Sequence, residues 1–127
     1  MANMGEQLEE RLIEFGAKVC VAIRQVPQDV AGQHFSKQLV RSSTSPAANY
    51  SEARGAESKR DFIHKMQLSL KELRETFTWL RFIDKLYSDV LDVRSLRIEC
   101  NELLSIFVAS ITTAKRTPRT RKQPPNQ

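Results

Sequence analysis

Few residues in this chain combine types and spacing that suit metal chemistry. Asp61 and His64 are three positions apart, so both would lie on one face of a helix. A carboxylate followed three residues later by a histidine is half of the di-metal motif of some helix bundles. The other half needs a second such helix, but the chain has only two histidines, His34 and His64. We therefore interpret His64 as a structural or surface residue and predict no metal site.

Cysteine chemistry and the common catalytic motifs are also poorly supported. Cys20 and Cys100 stand alone, without CxxC spacing, in apolar helix-like stretches, which predicts buried free thiols. The sequence contains no G-x-S-x-G turn, no P-loop and no dinucleotide-binding fingerprint. Nothing in the sequence pairs two carboxylates for acid–base catalysis. We predict a protein that is not an enzyme, with no catalytic residues and no cofactor.

Positive charge is arranged in a row along one segment of the chain. This basic row consists of Lys71, Arg74, Thr78, Arg81 and Lys85. The alternating spacings of three and four residues place these side chains on one face of a helix, and no acidic residue occurs in the row. Lysine and arginine side chains on one face are suited to contact the phosphates of nucleic acid.

The basic row also has a less specific interpretation. It would be an ordinary solvated face if acids one helical turn away neutralised its charges. Lys71 with Glu75 is such a pair, and Asp61 with Lys65 is another on the same segment. The exposure of the row and the partners of these acids decide between the two interpretations.

Further positive charge lies at the C-terminal end of the chain. The 127 residues include 20 Lys+Arg and 15 Asp+Glu, giving a formal net charge of +5 and a pI near 9.5. The last thirteen residues hold no acid and five cations, which we add to the predicted nucleic-acid contacts: Lys115, Arg116, Arg119, Arg121 and Lys122. Residues 1–114 are therefore formally neutral. Residues 117–127 contain three prolines and no apolar periodicity, which predicts a disordered basic tail.

Four segments with apolar residues every three or four positions must position these side chains. We predict helices over residues 5–26, 28–55, 57–87 and 89–116. Asp29 is expected to cap the second helix, and Ser58 with Asp61 resembles a capping box for the third. Ser88 or Asp89 is expected to cap the fourth. Short connections between the helices predict an all-α, antiparallel up-down four-helix bundle over residues 1–116, followed by the tail at 117–127.

The second segment contains a run of small and polar residues around Pro46. Small side chains let helices approach closely, so we interpret the run as a packing surface rather than as a polar site. Pro46 either kinks one helix or follows Ser45, which would then cap a new helix.

A second row on the third segment predicts a surface for self-assembly. It consists of Leu68, Glu72, Glu75, Trp79, Phe82 and Leu86. At about 100° per residue its apolar members are expected about 180° from the core stripe, where a monomeric bundle would be polar. Exposed aromatic and aliphatic residues usually mark an interface, so we predict an oligomer interface there. The alternative is that the tail or a neighbouring loop covers Trp79 and Phe82 within one subunit.

Membrane and secretory classes do not fit this sequence. No apolar run approaches the roughly 20 residues of a membrane span. The N-terminal sequence MANMGEQLEE is acidic and lacks the apolar region of a signal peptide. Two unpaired cysteines favour a reducing compartment, so we predict a cytoplasmic protein without membrane contact.

The stretch from Gln38 to Ile83 carries five short motifs: Q-L-x-R-S, S-x-x-x-N, E-A/G, E-S-x-x-D-F and K-E-x-x-E-T-x-x-W-L. They correspond to Gln38, Leu39, Arg41 and Ser42; Ser45 and Asn49; Glu52 and Ala53; Glu57, Ser58, Asp61 and Phe62; and Lys71, Glu72, Glu75, Thr76, Trp79 and Leu80. Together they resemble a bacterial family of four-helix bundle proteins encoded in intervening sequences of 23S ribosomal RNA genes. One departure is Ala53, where many members have glycine.

The resemblance implies a homopentameric ring of bundles with a nucleic-acid-binding role rather than an enzyme. A related branch of the family serves as accessory proteins to the reverse transcriptases of diversity-generating retroelements. We therefore expect a self-associating protein that binds nucleic acid, with RNA, such as ribosomal RNA, as the expected ligand. The alternative is a protein-interaction scaffold, for example an accessory subunit of a reverse transcriptase or a ribosome-associated factor. For a scaffold, the surface around Trp79 would matter more than the charges.

Overall fold

Four helices account for most of residues 3–117, the part of the chain that the computed structural model describes. They are α1 (Met4–Ala22), α2 (Val30–Arg54), α3 (Lys59–Tyr87) and α4 (Arg94–Arg116). A short 3₁₀ turn, Ile23–Gln25, follows α1. Residues 3–117 contain no strand, so the predicted all-α fold of four helices is confirmed.

Side-chain caps fix the starts of the first three helices. Asp29 accepts a hydrogen bond from the amide three residues into α2, at 2.7 Å. Ser58 accepts one from the Asp61 amide at 3.0 Å, so the predicted caps at Asp29 and Ser58 are confirmed. The capping box predicted for α3 is only half formed, because Ser58 supplies its bond and the Asp61 side chain makes no hydrogen bond back to the Ser58 amide. Asn3 and Glu6 form a full capping box at the start of α1. The sequence carries that pattern of an asparagine followed three residues later by a glutamate, but it was not predicted.

The fourth helix begins later than predicted. It starts at Arg94, so the expected caps Ser88 and Asp89 are wrong. The intervening residues form a turn that places Leu91 and Val93 in the core, at 7% and 1% exposure. Burying both apolar side chains outweighs the capping preference of the polar residues before them, because each buried aliphatic side chain contributes about 1.5–3 kcal/mol.

Pro46 lies inside α2 without ending it. The helix runs as one element from Val30 to Arg54, so the alternative in which Ser45 caps a new helix is excluded. The Ser45 hydroxyl instead donates to the Arg41 carbonyl one turn earlier, at 2.7 Å. The carbonyl of Pro46 itself accepts a hydrogen bond from the Ser69 hydroxyl of α3, at 3.1 Å.

Ion pairs show how consecutive helices are oriented. Each pair joins the last part of one helix to the first part of its neighbour in the chain: Arg54 with Glu9 at 2.6 Å, Lys65 with Glu52 at 2.6 Å, and Arg97 with Asp84 at 3.4 Å. Consecutive helices therefore run in opposite directions. The most extensive helix contact is between α2 and α3, and the least extensive of the neighbouring pairs is between α1 and α4.

All four helices contribute to a single buried core. Its largest fully buried side chains are Phe15, Phe107, Leu12, Leu39, Met66, Leu73, Leu80, Ile83 and Leu103. Cys100 lies among them as a free thiol whose sulfur contacts the Leu73 carbonyl at 3.3 Å, and burial raises the pKa of the thiol to about 12. Cys20 is a half-buried free thiol. No described helix is long and apolar enough to cross a membrane.

The run of small residues in α2 serves close packing, as predicted. Ser42 and Ser43 are buried, and the Thr76 hydroxyl of α3 lies 2.8 Å from the Ser42 hydroxyl. On the other side, α1 approaches α2 so closely at Gly16 that an added Cβ would lie 2.7 Å from the Ser43 carbonyl oxygen. A side chain at that position would push the two backbones apart.

Replacing Gly16 with alanine is expected to lower the free energy of unfolding. Overpacking destabilises by about 1–3 kcal/mol, and the higher helix propensity of alanine stabilises by about 1 kcal/mol at most. Chemical denaturation at one fixed protein concentration measures the difference. Gly55→Ala is the matched control, because its Cβ would find the nearest atom at 3.8 Å, an ordinary contact. Equal stability of the two variants would contradict the close approach of α1 to α2.

Asp29 connects the start of α2 to the end of α3. Besides capping α2, its carboxylate accepts a hydrogen bond from the Tyr87 hydroxyl at 2.8 Å. The bond from the Gly32 amide, and then the one from Tyr87, lower the pKa of Asp29. A carboxyl with a lowered pKa in the folded state contributes stability that is present above its unfolded pKa of about 3.9. That contribution is lost as the pH falls through the folded pKa.

The substitution Asp29→Asn tests this contribution, because asparagine also caps helices but does not titrate in this range. We expect the stability advantage of the wild type over the variant to shrink between about pH 6 and about pH 3. Urea denaturation across that pH range measures the advantage. Asp89→Asn removes an exposed carboxylate elsewhere and is the control for the loss of one surface charge. A stability difference that changes no more with pH for Asp29→Asn than for Asp89→Asn would be evidence against the link.

Candidate nucleic-acid interface

The face of α3 that points away from the core carries the predicted basic row. All five of its members are exposed, and the same spacing of three and four residues continues toward the start of α3. The resulting extended row consists of Arg60, His64, Gln67, Lys71, Arg74, Thr78, Arg81 and Lys85, all exposed. It contains five cations and no acid. At about 1.5 Å per residue it is about 37 Å long.

Sequence reasoning missed the first three positions of the extended row. The signal was the unbroken alternation of spacings from Arg60 to Lys85, which the prediction followed only from Lys71 onward. Histidine and glutamine at two of the positions obscured it, because neither carries a full positive charge at neutral pH.

The cations of the extended row are not neutralised within the described part of the chain. None of them lies within ion-pair distance of a carboxylate in residues 3–117. The pairs that would have neutralised the face do not form: Glu75 contacts Arg41 of α2 at 2.5 Å, and Lys65 contacts Glu52 of α2 at 2.6 Å. The i,i+4 pairs of the alternative interpretation therefore do not neutralise the row within these residues.

The second row of α3 faces α2 rather than the side opposite the core. Arg41 of α2 lies 2.6 Å from Glu72 and 2.5 Å from Glu75. The Trp79 ring packs against Phe35 of α2, with the ring centroids 5.8 Å apart. The predicted angle of about 180° from the core is wrong, because α2 covers the flank of α3 beside the core stripe and the extended row occupies the opposite side. Leu68 is half-buried on the same flank.

Part of the second row remains apolar and open. Phe82 is 45% exposed although it stacks on Phe35 at 5.0 Å, and Leu86 is 50% exposed. Trp79 is half-buried, with the rings of His34 and Phe35 of α2 against it, and the predicted alternative of cover by the tail falls on residues outside the described part of the chain. Of the six residues predicted as an oligomer interface, Phe82 and Leu86 are therefore the exposed apolar ones. Self-association through them stays a prediction.

A shallow groove of about 450 Å³ runs between the extended row and Trp79. Its lining residues are Gln67, Leu70, Lys71, Arg74, Glu75, Thr78 and Trp79. Lys71 and Arg74, which have no ion pair in residues 3–117, line the same groove as the Trp79 ring. This combination suits a nucleic-acid strand, whose phosphates attract cations and whose bases pack on aromatic rings.

The two cations at the end of α4, Lys115 and Arg116, are exposed. The Lys59 ammonium donates to the Thr117 carbonyl, which places the end of α4 beside the start of α3. The remaining predicted contacts of the tail, Arg119, Arg121 and Lys122, lie outside the described residues, as does nearly all of the segment 117–127.

Within residues 3–117, no three histidine, cysteine, aspartate or glutamate side chains are grouped to hold a metal ion. His64 is exposed in the extended row. Asp61 lies outside that row, and its charge helps to raise the pKa of Lys65. The half-motif of Asp61 and His64 therefore gains no further ligand from the described helices.

Comparisons with known proteins were made by sequence and by structure. The sequence model of the family described as 23S rRNA-intervening sequence protein matches residues 7–109. The chain is also similar to a crystal structure at 1.70 Å resolution of a protein of unknown function from the S23 ribosomal protein family of Bacteroides thetaiotaomicron. The two are 27% identical, with a TM-score of 0.73 over 82% of this chain and 97% of that one. No curated protein matches this chain.

Proposed function

This chain belongs to the 23S rRNA-intervening sequence protein family, and on that premise we propose that it is a non-enzymatic, self-associating protein that binds RNA. The observation that carries the proposal is the extended row, with five exposed cations that have no acidic partner in residues 3–117. Unpaired cations in a line attract a polyanion, whereas cations paired with acids do not.

The proposed contacts are to phosphate groups. Lys71, Arg74, Arg81 and Lys85 extend from a rigid helix, so they would hold a strand without selecting its sequence. Lys115 and Arg116, with the three cations beyond Thr117, would add to the affinity. Each neutralised phosphate releases counterions, which makes the binding depend steeply on salt.

Self-association would strengthen a weak contact of this kind. A homopentameric ring, which the family resemblance implies, would present five copies of the extended row to one RNA molecule. Linked weak sites gain affinity through effective concentration, without any new contact. Phe82 and Leu86 are the proposed apolar contacts between subunits, because they are exposed beside a packed aromatic cluster.

We propose no catalytic residue in this protein. The described groups with clearly shifted pKa values act in packing: the bond to Glu99 is the main cause of the raised pKa of Arg11, and the bond to Glu52 is the main cause of that of Lys65. Burial raises the pKa of Cys100, which keeps the thiol protonated, and an inert free thiol suits the cytoplasm in which we propose that the protein acts.

A protein-interaction scaffold is the second candidate, for example an accessory subunit of a reverse transcriptase or a ribosome-associated factor. The exposed side chains of Phe82 and Leu86 favour it, because they are equally suited to a different protein. The two candidates differ in what they require, since only RNA binding depends on the cations of the extended row.

RNA binding is expected to weaken when cations of the extended row are removed. The double variant Lys71→Gln/Arg74→Gln should bind a fluorescent RNA oligonucleotide more weakly, and its log K should fall less steeply with log salt, by roughly 1.4–1.8 for two lost phosphate contacts. Fluorescence anisotropy at several salt concentrations measures both quantities. Arg24→Gln/Lys37→Gln is the matched control, since both residues are exposed, lie off the row and have no ion pair in residues 3–117.

Two results would contradict RNA binding through α3. One is a wild-type protein that does not bind RNA, or binds it equally at low and high salt. The other is a full loss of binding on truncation after Thr117, which would assign the binding to the tail alone. If both double variants bound RNA as tightly as the wild type, the scaffold candidate would be favoured for α3.

The assembly state is expected to depend on Leu86 and not on apolar residues elsewhere. Leu86→Gln should shift the protein toward smaller species in light scattering, because it places a polar group in the proposed contact. Ile98→Gln, at a position on α4 with a similar exposure of 54%, is the control and should leave the mass unchanged. A monomeric wild type, or a Leu86→Gln variant of unchanged mass, would contradict the proposed interface.

A further inference from the structure

We infer that a groove between the start of α3 and the end of α4 binds phosphate groups and continues the extended row onto α4. This inference rests on the proposed RNA binding and names a site that sequence reasoning did not predict. The site exists only because the fold brings the start of α3 beside the end of α4, and its residues come from parts of the sequence about fifty positions apart.

The groove has the chemistry of an anion site. It encloses about 600 Å³ and is lined by Ser58, Lys59, Arg60, Ile63, His64, Gln67 and Lys115. Three of these side chains are cations, and a histidine, a hydroxyl and an amide add further hydrogen-bonding groups. No carboxylate lines the groove. A phosphate in the groove would therefore contact positively charged hydrogen-bond donors and no negatively charged carboxylate.

The cations of the groove are available for a ligand. Arg60 and Lys115 make no ion pair and no side-chain hydrogen bond in residues 3–117, while Lys59 uses one of its three donors on the Thr117 carbonyl. The nearest acid on α3, Asp61, is not among the residues that line the groove, and its charge helps to raise the pKa of Lys65. The groove thus keeps its positive charge in the folded protein.

The groove and the extended row form one surface. Arg60, His64 and Gln67 belong to both, so the groove is the end of the row at the start of α3. Gln67 also lines the groove beside Trp79, so the two grooves share this residue and lie next to each other. Thr117, the last described residue, lies beside Lys59. A single strand would therefore pass from Lys85 along α3 to the point where the basic C-terminal residues follow.

The length of this surface sets the class of ligand. A stacked strand rises about 3.4 Å per nucleotide, so about eleven nucleotides would cover the row of about 37 Å. A mononucleotide or an isolated phosphate would occupy only one site of several. We therefore assign the groove to the phosphodiester backbone of an RNA segment of that length or longer.

The test compares two double variants that remove equal charge from opposite ends of the bundle. Arg60→Gln/Lys115→Gln changes the groove, and Arg24→Gln/Lys37→Gln is the control. A fluorescent 16-nucleotide RNA reports affinity by anisotropy in the full-length protein. At about 0.1 M salt, two lost phosphate contacts predict about 25-fold to 60-fold weaker binding for the groove variant, and a salt slope lower by roughly 1.4–1.8. Circular dichroism checks that both variants are folded.

A second readout locates the strand directly. A photoreactive p-benzoylphenylalanine in place of His64 should crosslink to the RNA under ultraviolet light, and the same amino acid in place of Lys37 should not. A benzophenone group reacts only with what lies beside it, so a general effect of net charge would not produce this difference.

The outcomes separate this inference from the proposed function. Weaker binding of the groove variant together with crosslinking at position 64 supports the site. A groove variant that binds like the control, while Lys71→Gln/Arg74→Gln binds weakly, overturns the inference and leaves RNA binding through α3 in place. A wild-type protein that does not bind the RNA overturns both.

Discussion

The contact between α2 and α3 determines which side of α3 remains free for a ligand. It is the most extensive helix contact in the bundle, and small residues make it close. The hydroxyls of Ser42 and Thr76 meet at 2.8 Å in its buried centre, and Arg41 spans Glu72 and Glu75 at its outer edge. Exposed ion pairs contribute about 1 kcal/mol or less, so most of the stability of the contact comes from buried apolar surface.

This contact also sorts the charges of α3. The helix has four acids, of which Glu72 and Glu75 contact Arg41 and Asp84 contacts Arg97, while the charge of Asp61 helps to raise the pKa of Lys65. The cations of the extended row face away from both neighbouring helices. A net charge of +5 is in itself weak support for a nucleic-acid partner. The separation of acids and cations onto different flanks of one helix is stronger support, because it leaves an uncompensated line of charge.

The motifs that resemble the family mostly serve this packing. Arg41, Glu72, Glu75 and Trp79 all lie at the junction of α2 and α3. Among the motif residues, Lys71 is the one that also belongs to the extended row. The motif residues therefore mainly stabilise the packing of α2 on α3, and the extended row, apart from Lys71, lies outside them.

The sequence alone determined the four helices, the caps at Asp29 and Ser58 and most of the core, because each follows from local spacing or from a side chain bonding to a nearby amide. It also placed Lys71, Arg74, Arg81 and Lys85 on one face, since helical periodicity is a local property. Only the tertiary structure decided that Trp79 faces α2, that α4 begins at Arg94 and that Arg60 and Lys115 line one groove. Those outcomes depend on which helix covers which flank, a choice made by burial between distant segments and not recorded in the spacing of any one of them.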